Sequence, residues 1–489
     1  MVVQVRRVRC RRICVGRFLF PISLALLFSV LEPAWCASLP EVHAGSGTEA
    51  PAATMPGDPQ GERAPVADLL KDPGRLLSWL RGHSRDVAAA ASRVDEARAG
   101  YRASRLFPNP VLGFNLSDIP AGKTNPSGLG FHDTSIYSYT LSETTEIGKR
   151  GPRIASANDR LGATVETYLD MLGQKAADAR LALGRALYLR ERQTTLEETL
   201  AAARRVLDLE KTRFDQGEVS GNDYDRLLLD TTTLESEFAR SAAEYRASLD
   251  ACRAALFAEC AVDDAGLEIA ELGKAVALPD PPGDEESALT QRPDVRSLES
   301  ERAAAKMDLV LARRRRIPDP AIGVGYTHDN LTISGDQPNT FAVGLTVPLP
   351  LFDRGQHDAA RAAAHAAEIE AIRDTTLTSA RADLSGLLRR KSFLESTVAT
   401  LQTDALPRSS GILDTTLQAF DQGEVGMTDL LLVRRNHTSL LLSLMDLRFE
   451  YFTVRNELRR VLGLDANMAR RSDVASSAAA DIRDNQQGG

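Results

Sequence analysis

The sequence predicts a mainly α-helical fold, duplicated internally into two long antiparallel helical hairpins and carrying two pairs of β-strands of the membrane-barrel type. Three observations predict it. The six residues Phe214-Asp215-Gln216-Gly217-Glu218-Val219 recur as Phe420-Asp421-Gln422-Gly423-Glu424-Val425. Each copy lies between long, proline-poor runs rich in Ala, Leu, Arg and Glu. Four further stretches alternate apolar with small or polar residues, a period of two that marks strands.

Each repeated hexapeptide reads as the turn between two helices. Gly217 and Gly423 suit the left-handed residue that ends the first helix. Asn222 and Thr428 have the chemistry of N-caps, and the acids that follow them, Asp223 and Asp429, are favoured at a positive helix end. The correspondence continues outward. Phe107-Pro108-Asn109-Pro110 matches Ile317-Pro318-Asp319-Pro320, Arg150-Gly151 matches Arg354-Gly355, and Arg85-Asp86-Val87 matches Pro293-Asp294-Val295. A period of about 200 residues far exceeds the 20–50 of a solenoid unit, so one fold is built from two related halves.

The chain has 489 residues, 43% hydrophobic but only 5% aromatic. Alanine, leucine and charge stand in for the aromatic residues of an ordinary core, which favours long helices packed closely. Residues 1–36 read as an export signal: six arginines from Arg6 to Arg17 precede the apolar run Phe18 to Leu31, and Ala34-Trp35-Cys36 resembles a cleavage site. An uncleaved anchor is the alternative, and Trp35 poorly fits the small residue expected before a lipidated cysteine. No second apolar run approaches the ~18 residues of a membrane helix. Cleavage would take the formal charge from −8 to about −13, which excludes nucleic acid as a partner. Cys252 and Cys260, eight residues apart, would be about 12 Å apart on a continuous helix, so a bridge between them requires the helix to end near Ala258.

Residues 37–64 read as a disordered leader. The first half, 65–280, is expected to hold a helix from Ser84 to Leu106, a strand pair within 110–142 and a hairpin over 153–258. The second, 281–465, is expected to hold a helix over 293–316, a strand pair within 320–348 and a hairpin over 356–463; 466–489 reads as a disordered tail. In the strands, Leu112, Phe114 and Leu116, then Tyr137, Tyr139 and Leu141, alternate with Gly, Asn, Ser and Thr; Ile322, Val324 and Tyr326, then Phe341, Val343, Leu345 and Val347, do the same. A soluble sandwich would need a partner sheet, and no remaining segment supplies one. On a lipid-facing reading Val324 and Val343 point into the bilayer. Four strands cannot close a barrel, and an open edge in lipid costs several kcal/mol per unpaired amide, so copies must associate, two giving eight strands and three giving twelve.

The proline-free run between Pro152 and Pro279 splits at Gly217 into helices of about 60 and 38 residues, or about 90 and 57 Å. Packing faces show at Leu234, Phe238, Ala242, Tyr245 and Leu249. In the last helix Leu440, Leu444, Leu447, Tyr451, Val454, Leu458 and Val461 form a heptad seam. Pro407 is expected to kink the long helix before it. Arg313 to Arg316 read as a solvated helix end.

These residues resemble the TolC-like outer-membrane efflux family from about residue 70 to 465. The resemblance is carried by Arg292-Pro293-Asp294-Val295, by Arg316-Ile317-Pro318-Asp319-Pro320 and by the two Phe-Asp-Gln-Gly turns. Thr346-Val347-Pro348-Leu349-Pro350-Leu351-Phe352-Asp353-Arg354 and Glu146-Ile147-Gly148-Lys149-Arg150 resemble the branch serving cobalt-zinc-cadmium type heavy-metal RND exporters. The chain departs from that branch at Ser142-Glu143-Thr144-Thr145, where a proline is usual.

The resemblance implies a homotrimer with a twelve-stranded barrel in the outer membrane and a tunnel of twelve helices in the periplasm. It also implies a periplasmic adaptor (membrane fusion protein) and an inner-membrane RND pump as partners, with outer-membrane lipid around the barrel. Gln216, Gly217, Glu218, Gln422, Gly423 and Glu424 are expected to be adaptor-docking tips. Asp223 and Asp429 are candidates for a cation-attracting periplasmic gate, the family's further acid three residues on being Leu432 here. Drug or protein export is the alternative cargo, and a periplasmic coiled-coil adaptor or scaffold the alternative class.

No catalytic, cofactor-binding or metal-binding constellation is legible. The seven histidines lack His-x-x-x-His spacing and the cysteines lack Cys-x-x-Cys. His357 and His365 share a helical face but lie about 12 Å apart. Gly323-Val324-Gly325 sits in a strand with no helix after it, so it is not a nucleotide loop. A passive duct needs no such site.

Overall fold

The computed structural model describes residues 63–473 apart from 126, 263–265, 267, 276–277, 279–284 and 333–335. The expected export signal, the leader to residue 62 and the tail from 474 lie outside the described residues. The first half runs β1 (Arg63–Ala64), α1 (Val66–Lys71), α2 (Pro73–His83), α3 (Arg85–Ser104), β2 (Val111–Ser117), α4 (Phe131–Thr134), β3 (Ile136–Thr144), α5 (Arg150–Asp215), α6 (Gly221–Leu256), β4 (Glu259–Cys260) and α7 (Ile269–Ala275). The second runs α8 (Glu285–Thr290), α9 (Pro293–Arg314), β5 (Ala321–Asp329), β6 (Asn339–Thr346), α10 (Gln356–Thr400), α11 (Leu406–Asp421) and α12 (Met427–Val461), followed by a last helix over 464–473.

Four strands form one antiparallel sheet in the order β2-β3-β5-β6, so each half contributes a hairpin and β3 joins β5 across the halves. The helices below repeat that order: α3 packs on α5, α5 on α9 and α9 on α10. At the opposite end α6 packs on α5, α5 on α12 and α12 on α11. A single 66-residue helix, α5, runs through both layers. It can do so because small residues let neighbours approach: Ala176, Ala179, Ala186 and Ala203 are fully buried, and a Cβ on Gly184 would collide with the buried ring of Phe452.

Between the layers lies a belt with its own core. Leu69, Leu70, Leu76 and Leu80 of α1 and α2 pack against Leu172 and Leu183 of α5, Leu256 of α6, Leu272 of α7 and Ala466 and Ala469 of the last helix. The heptad seam of α12 is apolar as expected, with Leu444, Val454, Leu458 and Val461 buried, but Met445, Phe449 and Phe452 form a second packing face toward α5.

Several expectations need correcting. Residues 63–64 are not disordered leader, because β1 pairs in parallel with β4. The tail is helical to 473, and Ala466 and Ala469 bury two of its positions. The caps are Ser220 and Gly426 rather than Asn222 and Thr428: the helices begin at Gly221 and Met427, and the Ser220 hydroxyl accepts from the Asp223 amide at 3.2 Å. Pro407 is preceded by a π-helical turn, Leu401–Ala405, and α-helical winding resumes at Leu406. The bridge between Cys252 and Cys260, by contrast, meets the condition set by the sequence: α6 stops at Leu256, Phe257 turns left-handed at φ 57°, and the Cα atoms come 6.2 Å apart.

Candidate functional site

The sheet presents two unlike faces, and the register shows why. On one face Leu112, Leu141, Val324 and Val343 stand side by side across all four strands, and Phe114, Tyr139, Tyr326 and Phe341 form the next row toward the loops. Ring centroids along that aromatic row are 5.1, 6.5 and 5.3 Å apart. Val324 is 53% exposed, Val343 81% and Phe341 84%. On the other face Gly113, Thr140, Gly325 and Ala342 form one row, and Asn115, Ser138, Thr327 and Thr340 the next, with the Ser138 and Thr327 hydroxyls 3.1 Å apart. An aliphatic band edged by an aromatic row, backed by a small and polar face, is the pattern of a wall between lipid and water. Among the described residues no helix is long and apolar enough to cross a membrane.

Below the sheet, the signature segments meet across the halves through Asp319 and make other contacts within each half. Asp319 accepts from the Ile147 amide at 3.0 Å and from Lys149 at 2.7 Å, while Arg153 pairs with Glu146 and also donates to the Ser104 carbonyl at 3.1 Å. Arg292 reaches the Val461 carbonyl at 3.0 Å and its own neighbour Asp294 at 2.7 Å, which holds the Arg-Pro-Asp-Val segment against the end of α12.

At the far end the two repeated turns have the same geometry. Gly217 and Gly423 both have φ +76°. Each donates its amide three residues back, Gly217 to Phe214 at 2.9 Å and Gly423 to Phe420 at 3.0 Å. The next amide donates five back, Glu218 to Arg213 at 2.9 Å and Glu424 to Ala419 at 2.8 Å. This is the Schellman closure, which the left-handed glycine permits. Gln216, Glu218, Gln422 and Glu424 are exposed. The turns differ in support, since Phe214 stacks on Tyr224 at 5.1 Å whereas Leu430 occupies the matching place after the second turn.

Arg226 donates to the Thr428 hydroxyl at 3.0 Å, which brings the two tips side by side. Nothing in the spacing signals that contact, because its partners lie on different halves. Asp223 is half-buried and accepts from the Ser220 hydroxyl at 2.7 Å, whereas Asp429 is exposed. Higher in the hairpins Arg434 is buried and donates to the Thr199 carbonyl at 3.0 Å; desolvation lowers its pKa, with Asp230 opposing. Among the described residues no group of three or more His, Cys, Asp and Glu is placed to hold a metal ion.

Comparison with known proteins matches this architecture. A sequence profile of the outer membrane efflux protein family covers residues 76–257 and 286–464. The cobalt-zinc-cadmium resistance protein CzcC of Cupriavidus metallidurans is 24% identical over 394 residues, 79% of this chain and 88% of the relative. The nickel and cobalt resistance protein CnrC of the same organism is 26% identical, covering 64% of this chain and 71% of the relative. Crystal structures of CusC superpose with a TM-score of 0.69 at 17% identity, over 80% of this chain and 91% of that one. The open state of the Neisseria gonorrhoeae MtrE outer membrane channel does so at 0.66 and 17%, over 81% and 89%. With the family profile spanning both halves, the chain belongs to the outer membrane efflux protein family and is an outer-membrane efflux channel with a periplasmic helical domain.

Proposed function

We propose that the channel works as a homotrimer, closing a twelve-stranded barrel in outer-membrane lipid, and that it passively conducts heavy-metal cations delivered by an inner-membrane RND pump through a periplasmic adaptor. The observation that carries association is the open sheet; the number three rests on the family resemblance. Among the described residues the sheet's edges, β2 and β6, have no partner strand, and unpaired backbone in lipid is too costly to leave so. Metal as cargo rests on relatives such as the cobalt-zinc-cadmium and nickel-cobalt resistance proteins. Division of the chain into an export signal at 1–36 and halves at 65–280 and 281–465 belongs to the same reading; the two stretches that the family profile matches, one in each half, support the division into halves.

In this reading Gln216, Gly217, Glu218, Gln422, Gly423 and Glu424 dock the adaptor. Closing a helix needs a glycine and a cap but not the same Gln and Glu twice, whereas a partner meeting alternating tips around a ring would see equivalent surfaces. Changing Gln216, Glu218, Gln422 and Glu424 to alanine keeps both left-handed glycines. The variant is expected to insert normally yet lose crosslinking to the adaptor and metal resistance in a complemented deletion strain. Full crosslinking and full resistance would refute the docking role.

Asp223 and Asp429 would ring the periplasmic mouth as a cation-attracting constriction, Asp429 the more strongly because it is exposed whereas the Asp223 carboxylate is half-buried and already accepts from the Ser220 hydroxyl. Single-channel recording of Asp429→Ala should show a reduced preference for cations. An unchanged preference would leave Asp429 only its place near a helix N-terminus.

A further inference from the structure

The two halves repeat not only their sequence but their strand register. Leu112 lies two residues after Pro110 and Ile322 two after Pro320; Leu141 lies nine before Arg150 and Leu345 nine before Arg354. In the sheet Leu112 is opposite Leu141, and Ile322 is opposite Leu345. The hairpins are therefore superposable pair for pair. Between them, the seam of β3 on β5 sets Leu141 opposite Val324 and Thr140 opposite Gly325. If copies of the chain close a ring, the next seam is β6 of one copy on β2 of its neighbour, and the same repeat relation translates one seam into the other.

We propose that the seam between copies repeats the β3–β5 register, setting Leu345 opposite Phe114 of the neighbouring copy, Val343 opposite its Leu116 and Gly344 opposite its Asn115. The proposal rests on the trimeric reading and adds to it a specific pairing. It keeps Leu345 and Val343 of β6 beside Phe114 and Leu116 of β2, while Phe341 comes opposite Asp118, just past the end of β2. A shift of one residue would turn one strand's lipid face toward water.

The junction below the strands carries the second part of the argument. Inside the chain that seam is closed by Thr145 donating to the Pro320 carbonyl at 2.9 Å, by the Lys149–Asp319 ion pair and by Arg314 donating to the Gly148 carbonyl. Translated to the outer seam, Lys149 becomes Asp353, Asp319 becomes Asn109, Gly148 becomes Phe352 and Arg314 becomes Ser104. Both exchanges are reciprocal. The ammonium–carboxylate pair becomes a carboxylate facing an amide that can donate to it. The small residue against the large one becomes a large one against a small: a Cβ on Gly148 would already lie 3.5 Å from Arg314, whereas Phe352 is 93% exposed and would meet only a serine. Phe352 thus covers Ser104 of the neighbouring copy, and Asp353 accepts from its Asn109.

Cysteine pairs on the water-facing side test the register. Gly344→Cys with Asn115→Cys should oxidise to covalent oligomers. Gly344→Cys with Gly113→Cys or with Ser117→Cys, each two residues out of register, should give at least about tenfold less, because diagonal neighbours lie beyond ordinary disulfide reach. Native sizing of the same preparations without oxidant separates the two levels of claim. Trimers that crosslink best through a shifted pair, or through none, overturn the register alone; particles no larger than one chain overturn the trimer and the register with it. For the junction, Phe352→Ala and Ser104→Leu should each lower the heat resistance of the trimer, and the two together should recover most of the loss. Additive losses would show that Phe352 does not sit on Ser104.

Discussion

Replacing Asp465 by alanine is expected to destabilise the belt of the molecule by about 3–5 kcal/mol, the cost of stranding buried charge. Asp465 is 2% exposed, and its carboxylate is shared by two guanidinium groups that are buried as deeply. Arg180 of α5 donates to both its oxygens at 3.1 Å, and Arg459 of α12 to one of them at 2.7 Å. Asn456 completes the cluster, accepting from Arg180 at 2.7 Å and donating to the Ala177 carbonyl at 2.8 Å. Desolvation lowers the pKa of Arg180, and Asp465 opposes that shift, so the acid is what makes the buried cation tolerable. Without it, the last helix over 464–473 keeps the Ala466 and Ala469 contacts and the Arg470–Glu166 pair but loses this buried anchor. Limited proteolysis should cut near residue 463 much sooner, and thermal unfolding should begin well below that of the parent. Unchanged protease resistance and unchanged melting would mean that the apolar contacts of Ala466 and Ala469, with the Arg470–Glu166 pair, hold the helix without Asp465.

Arginine at Val324 or Val343 is expected to block assembly in the outer membrane. The two valines are direct cross-strand partners on the apolar face. They sit one row below the aromatic row, about 7 Å deeper along the strand. At such depth an arginine costs about 2–4 kcal/mol toward the middle of the bilayer. Because the repeat would place both valines in every copy, a ring multiplies that cost by the number of copies. Thr340→Arg is the matched control: its side chain belongs to the opposite, polar face beside Thr327, where water can solvate the charge. Heat-modifiable mobility and membrane fractionation should show loss of assembled channel for Val324→Arg and Val343→Arg but near-parental levels for Thr340→Arg. Normal assembly of both valine variants would mean that this face of the sheet does not meet lipid.

Much of the architecture is legible in the sequence because its signals are local. The hexapeptide containing Gly217 recurs around Gly423, and glycine at that place closes a helix by backbone geometry alone, so both tips could be located without knowing what surrounds them. Alternation of Leu112, Phe114 and Leu116 with small residues dictates two unlike faces whatever the neighbouring strand. The caps were less legible because Ser220, Asn222, Gly426 and Thr428 all have capping chemistry, and only the winding of α6 and α12 selects among them. Pro407 announces a disturbance, and that it takes the form of a π-turn just upstream depends on what the neighbouring helices allow.

What the tertiary structure alone decided are the choices between partners far apart in the chain. The order β2-β3-β5-β6 leaves β2 and β6 as edges, and Arg226 finds Thr428 across the halves. Phe257 turns the chain so that Cys260 meets Cys252, and Arg180 finds Asp465 285 residues away. No local propensity encodes such pairings. Each is selected by the free energy of burying two remote surfaces together, and that quantity exists only once both halves have folded.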